Sequence, residues 1–141
     1  MNNEFYPKPT ALSEITLPTH LAIPALLCLA GLMAMAVFRH RLFGANRRFW
    51  VSAAAFFVVY LLITGAATLI DIWYQWDVHR YDLDQDGFFG AHETTEAQKA
   101  AMFRLTNDLG RNLSFVTGFV FALGIAAAVY FLGPKPDLEE R

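Results

Sequence analysis

Residues 82–93 hold most of the chain's ligand chemistry: Asp-Leu-Asp-Gln-Asp-Gly-Phe-Phe-Gly-Ala-His-Glu. Carboxylates recur at every second position (Asp82, Asp84, Asp86), a glycine follows at 87, and Glu93 closes the segment. Carboxylate oxygens are hard donors. Four of them in so short a stretch suit a hard dication, Ca2+, over a metal that prefers thiolate or imidazole. Reactive groups are sparse elsewhere. His20 and His40 stand at opposite ends of an apolar stretch, while His79 and His92 flank the acidic segment. An interfacial or solvated role suits each of them better than metal or haem ligation. The single cysteine, Cys28, lies inside an apolar block, a poor setting for a reactive thiolate. No Ser/His/Asp set, Gly-rich phosphate loop or further paired carboxylate site is present, so the sequence predicts a binding protein and not an enzyme.

The elements that must position these carboxylates follow from composition. Of the 141 residues 55% are hydrophobic and 17% charged, against about 25% charged in soluble domains, and the mean hydropathy is +0.33. Residues 15–38, 49–70 and 112–134 contain no Asp, Glu, Lys or Arg. Each block reaches the ~18–20 residues that a membrane-crossing helix needs. A soluble enzyme is thereby excluded, and an all-α chain with three transmembrane helices is predicted. Its segments are a polar lead-in over 1–19, a first span over 20–38, a connector over 39–48 and a second span over 49–72. A hairpin over 73–111, a third span over 112–133 and a tail over 134–141 complete it. The lead-in carries Pro7, Pro9 and Pro18 and has room for a short helix at 11–17. Pro24 is expected in the first turn of span 1, where a missing N–H is tolerated. Span 2 has no proline, so its helix can continue out of the membrane. Asn112 is the expected N-cap of span 3, and Gly133-Pro134 its stop. Ala34-Met35-Ala36 resembles a signal-peptide cleavage site, but Glu4 and Glu14 against Lys8, with Arg39 and Arg41 after the span, predict a retained helix.

The loop matches D-x-[DN]-x-[DN]-G-x5-E at every specified position and so resembles the EF-hand calcium-binding superfamily. The resemblance covers about residues 72–109 and implies a ligand set. Asp82, Asp84 and Asp86 would give carboxylates, Phe88 its backbone carbonyl, and Glu93 both oxygens, with Gly87 at the sharp turn and a water at Gly90. It further implies an EF-hand-like helix-loop-helix between spans 2 and 3. The entering helix would continue span 2 through 71–81. The exiting helix would run from Thr95 to Leu109, with Ala101, Met102, Leu105 and Leu109 on one face and Gly110 as its C-cap. Phe89 occupies the position at which family members pair two loops. Only one such loop is present here, so pairing would need a second copy or a partner protein.

Sidedness is read from arginine density. The connector packs Arg39, Arg41, Arg47 and Arg48 into ten residues, and the tail adds Lys135 and Arg141. Lys8, Arg80, Lys99, Arg104 and Arg111 are spread more thinly over the other side. The positive-inside rule then puts the connector and C-terminus in the cytoplasm, and the N-terminus and hairpin outside. Trp73, Tyr74, Trp76 and Tyr81 at one boundary, and Phe49, Trp50 and Tyr130 at the other, suit interfacial belts. Asp71, at the end of span 2, is expected at headgroup level. Gly118, Ala122 and Ala126, with Gly124 and Ala128, form small-residue faces suited to close helix packing, within the chain or between copies. The expected partners are membrane lipid, calcium, and a homo-oligomer or larger membrane complex; a net charge of −2 argues against nucleic acid. Three functions are compatible with these features. The first is a calcium module that sets the geometry of spans 2 and 3. The second is an accessory subunit docking through Trp73, Trp76, Phe88 and Phe89. The third is a calcium-gated channel or transporter formed by oligomerisation and lined by Thr64, Thr68, Asp71, Ser114 and Thr117.

Overall fold

The structure is a computed structural model that describes residues 15–83, 87 and 89–133, with the backbone alone for 43–45. Its elements are α1 (Thr19–Val37), α2 (Arg39–His79), α3 (Glu96–Thr106), α4 (Leu109–Asn112) and α5 (Ser114–Leu132). Three helical stretches are long and apolar enough to cross a membrane: Thr19–Val37, Asn46–His79 and Glu96–Leu132. The described residues are all-helical, and three helices have the length and apolarity that the sequence predicts for spans. The short helix expected at 11–17 falls mostly outside the described residues, and 15–17 are not helical.

Each boundary has a local cause. The Pro18 carbonyl accepts from the amides of Leu21 and Ala22 (2.9 Å each), which starts α1. Pro24 lies a turn deeper than the sequence suggests, because the helix begins at Thr19. Its ring removes the amide that would otherwise bond the carbonyl of His20. Only Phe38 separates α1 from α2, and its carbonyl accepts from Arg41 and Leu42, so the arginine-rich connector is itself helical. The chain kinks at Asn46 (φ −153°, ψ 78°). There the Asn46 side chain accepts from the amide of Phe49 at 3.3 Å and restarts the helix. The 34 residues from Asn46 to His79 span about 51 Å at 1.5 Å per residue, well beyond a hydrocarbon core of ~30 Å. Span 2 continues out of the membrane as expected.

The return path differs in detail from the sequence reading. Thr95 caps α3 through the amide of Gln98 (3.1 Å), but α3 ends at Thr106 with Asn107 as its C-cap. Gly110 lies inside α4 and does not cap α3, because Asp108 starts a new turn by accepting from the amide of Arg111 (2.9 Å). Of the four residues expected on one face of the exiting helix, Ala101 is buried while Leu109 is exposed. Asn112 closes α4, and α5 begins at Ser114 without a side-chain cap. At the other end α5 stops at Leu132, just before the predicted stop at Gly133, which is extended.

Helix α2 is the common packing partner, touching both α1 and α5, while α1 and α5 meet only marginally. Lipid is as apolar as leucine, so helices in it are held by close approach and hydrogen bonds. Both are present. Gly118, Ala122 and Ala126 are the buried stripe of α5, and a Cβ on Gly118 would lie 2.7 Å from Ile63 Cγ2. Cys28, Tyr60 and Ala122 form the core, with Phe56 and Phe57 packed against it. The Ser52 hydroxyl donates to the Ala126 carbonyl (2.6 Å), Tyr60 OH to Phe115 (2.8 Å), and Arg48 Nη2 to Gly133 (2.7 Å). Leu62, Leu69, Val120, Phe121 and Phe131 point outward, as lipid-facing residues do. The small-residue face at Gly118 is thus used within the chain, whereas Gly124 faces open space.

A paired substitution tests this packing. Gly118→Ala places a methyl group against the stiff, β-branched Ile63 and should cost about 1–3 kcal/mol, lowering the thermal midpoint in detergent. Gly124→Ala has nothing within 4 Å and should leave the midpoint unchanged or slightly raised.

Candidate metal site

The acidic loop begins where α2 runs out. After Arg80, the amides of Tyr81 and Asp82 bond back to the carbonyls of Val78 (3.1 Å) and His79 (3.3 Å). This tight exit turns Asp82 inward, where it is 9% exposed. Its Oδ2 accepts from the amide of Gly87 at 3.1 Å. The bond requires a left-handed residue at the turn, and Gly87 has φ 85°. The other oxygen, Asp82 Oδ1, is buried with no hydrogen-bond partner.

The far end of the loop folds back on the same neck. The Gly90 carbonyl accepts from the amides of Glu93 (3.1 Å) and Thr94 (3.0 Å). Glu93 is 3% exposed. Its Oε1 accepts from the amide of Leu83 and its Oε2 from that of Gly90, both at 2.8 Å. The first and last carboxylates of the twelve-residue segment are thus both buried at its neck. Asp84, Asp86 and Phe88 lie outside the described residues. Among the described residues no three acidic, histidine or cysteine side chains converge. His79 Nε2 is buried without a partner, while His20, His40 and His92 are exposed. A buried carboxylate oxygen without a hydrogen bond is costly, and a hard cation is the chemistry that would relieve Asp82 Oδ1.

The hairpin's feet are fixed by a second polar cluster, which the sequence reading missed. Asp71 is buried within the protein, and its Oδ1 lies 3.0 Å from Arg111 Nε. The approach is an ion pair without hydrogen-bond alignment, since Arg111 Nε and Nη1 make no hydrogen bond. Arg111 Nη2 donates to the Leu105 carbonyl (2.6 Å), Nη1 is 3.7 Å from Asp108 Oδ2, and the guanidinium lies 5.0 Å from the Tyr74 ring centre. On the other side, Asp71 Oδ2 accepts from Gln75 Nε2 (2.7 Å). Gln75 in turn pairs with the backbone of Thr16, accepting from its amide (2.7 Å) and donating to its carbonyl (2.8 Å). One charge-centred network therefore ties the lead-in, α2 and the start of the third span. The sequence did carry a signal for it. Asp71 directly follows one uncharged block and Arg111 directly precedes the next, so antiparallel spans bring them to one depth.

Thr64, Thr68 and Ser114 are buried within the chain, the two threonine hydroxyls donating to the carbonyls of Tyr60 and Thr64 at 2.8 Å; Thr117 is exposed. No family model, no curated protein and no solved structure matches this chain.

The Asp71–Arg111 pair makes a double-mutant prediction. Arg111→Met leaves Asp71 buried without its partner and should destabilise the protein by about 3–5 kcal/mol. Asp71→Leu combined with Arg111→Met removes both charges and should recover most of that loss, read as thermal midpoints in detergent.

Proposed function

We propose that residues 82–93 bind one Ca2+ and that the ion sets the geometry of the hairpin joining the second and third spans. The observation that carries this reading is Asp82 Oδ1, a buried carboxylate oxygen without a hydrogen bond, at a neck where Glu93 is also turned inward. Asp82 and Glu93 would ligate from the two ends of the loop. Asp84, Asp86 and the Phe88 carbonyl, placed between them in sequence, would complete an oxygen shell. The EF-hand-like spacing and the left-handed Gly87 support the same assignment. With the connector in the cytoplasm, as arginine density argues, the loop faces the outside. An affinity of ~0.1–1 mM is then enough to keep the site filled. Calcium changes the hairpin only by its difference in affinity between two geometries.

A second reading is that the hairpin docks on a partner subunit. It is favoured by Trp73 and Trp76, whose rings lie 5.1 Å apart on the extension of α2 and which are 59% and 43% exposed.

Calorimetric titration of calcium into the decalcified, detergent-solubilised protein tests the first reading. Wild type should bind one ion. Glu93→Gln and Asp82→Asn should each weaken binding about 100-fold, or roughly 2.7 kcal/mol, with unchanged helicity by circular dichroism. Equal affinity in all three proteins, or none in wild type, would refute it. Native mass spectrometry after gentle extraction, in calcium and in EGTA, separates the readings: a second protein released by EGTA supports docking, and a protomer carrying one ion supports the intrachain role.

A further inference from the structure

At the arginine-rich end of the bundle, α2 and α5 leave a cleft of about 380 Å³. Its floor is where the helices touch: Ser52, Ala53 and Ala126, with the Ser52 hydroxyl on the Ala126 carbonyl. Its inner end is closed by Phe56 edge-on to Phe119, ring centres 5.4 Å apart, and Leu123 forms a wall between. Small residues below and aromatic rings around make a slot, and its lining is almost wholly apolar. The mouth has the opposite character. Phe49 lines the open end and directly follows Arg47 and Arg48. Arg48 stands one turn before Ser52 on the same face of α2 and reaches the Gly133 carbonyl at the end of α5. Arg39, Arg41 and Arg47 are exposed at the same end.

The charge at this mouth is one-sided. Residues 15–70 and 109–133 contain no Asp or Glu, so α1, α5 and this part of α2 supply no counter-ion. An apolar slot within the bilayer must be filled by hydrocarbon, since empty space forfeits dispersion contacts and water there has no polar partners. A helix from a second copy is a poor occupant: copies inserted the same way bring their arginine clusters to the same level, where they repel.

We propose that this cleft is a site for one anionic phospholipid. One acyl chain lies in the slot between α2 and α5, and the headgroup phosphate is held by the exposed Arg39, Arg41 and Arg47. Guanidinium groups bind phosphate oxygens in pairs, and the cluster sits where a phosphate plane meets the end of α2. The proposal rests on the cleft and its charge, and is independent of the calcium reading and of which leaflet the arginines face.

Trp50, beside Phe49 with ring centres 5.2 Å apart, is a reporter at the mouth. Trp73→Phe with Trp76→Phe leaves it as the only tryptophan. That protein is reconstituted in phosphatidylcholine vesicles doped with chain-brominated phosphatidylglycerol or, separately, chain-brominated phosphatidylcholine. The brominated anionic lipid should quench Trp50 at least about twofold more than the brominated zwitterionic one at equal mole fraction. Ala53→Phe, which fills the slot, and the triple change Arg39→Gln, Arg41→Gln and Arg47→Gln, which removes the exposed arginines, should each abolish the difference. Equal quenching by the two lipids would overturn the proposal. So would a difference that survives Ala53→Phe, since charge alone would then be gathering lipid without the cleft.

Discussion

The hairpin depends on one ion pair at its base. Asp71 on α2 and Arg111 on α4 stand where the chain leaves the second span and where it enters the third. Between them lie the extension of α2, the acidic loop and α3. A buried pair contributes little net stability compared with apolar residues of the same shape, and a half-pair is strongly destabilising. Its effect is therefore to specify a register: the two spans can meet only at the level where both charges are matched. Arg111 adds the Leu105 carbonyl and the Tyr74 ring, and Asp71 adds Gln75 and, through it, Thr16. The same pair thus fixes the depth of the spans and the path of the lead-in.

Within the membrane the logic is different. No apolar surface is removed from water when these helices associate, so α2 and α5 are joined by contact distance and by backbone carbonyls used twice. Ser52, Tyr60 and Arg48 each donate to a carbonyl of the neighbouring helix or its end. The small stripe of α5 lets Ile63 and Tyr60 approach closely enough for this. The large apolar residues are turned outward, the reverse of a soluble core, which is why the chain's high hydrophobic fraction coexists with so small a set of buried side chains.

The spans were legible in the sequence because lipid tolerates few charges, so uncharged runs of sufficient length have one common explanation. The continuation of α2 beyond the membrane was legible from the absence of proline before His79. The ends of the return helices were not. Gly110 reads as a stop, but Asp108 two residues earlier caps a fresh turn, and a local side-chain bond outweighed the glycine preference. The pairing of Asp71 was missed because its partner lies forty residues away, and single-residue polarity says nothing about pairing. At the loop, spacing named the carboxylates, and the fold adds what spacing does not contain: Asp82 and Glu93 are both buried at the neck, with one oxygen of Asp82 left without a donor.

The unbroken course of α2 from Asn46 to His79 makes it a lever whose fulcrum is the contact of its middle with α5. From Ile63 to His79 the arm measures about 24 Å. A rocking of roughly 10° about the Gly118 contact displaces the far end by about 4 Å, on the scale of one helical turn. The acidic loop hangs from that end by two residues, Arg80 and Tyr81. Asp71 and Gln75 sit partway along that arm, so a tilt of α2 about Ile63 and Gly118 reaches the loop only by carrying Arg111 and Thr16 with it.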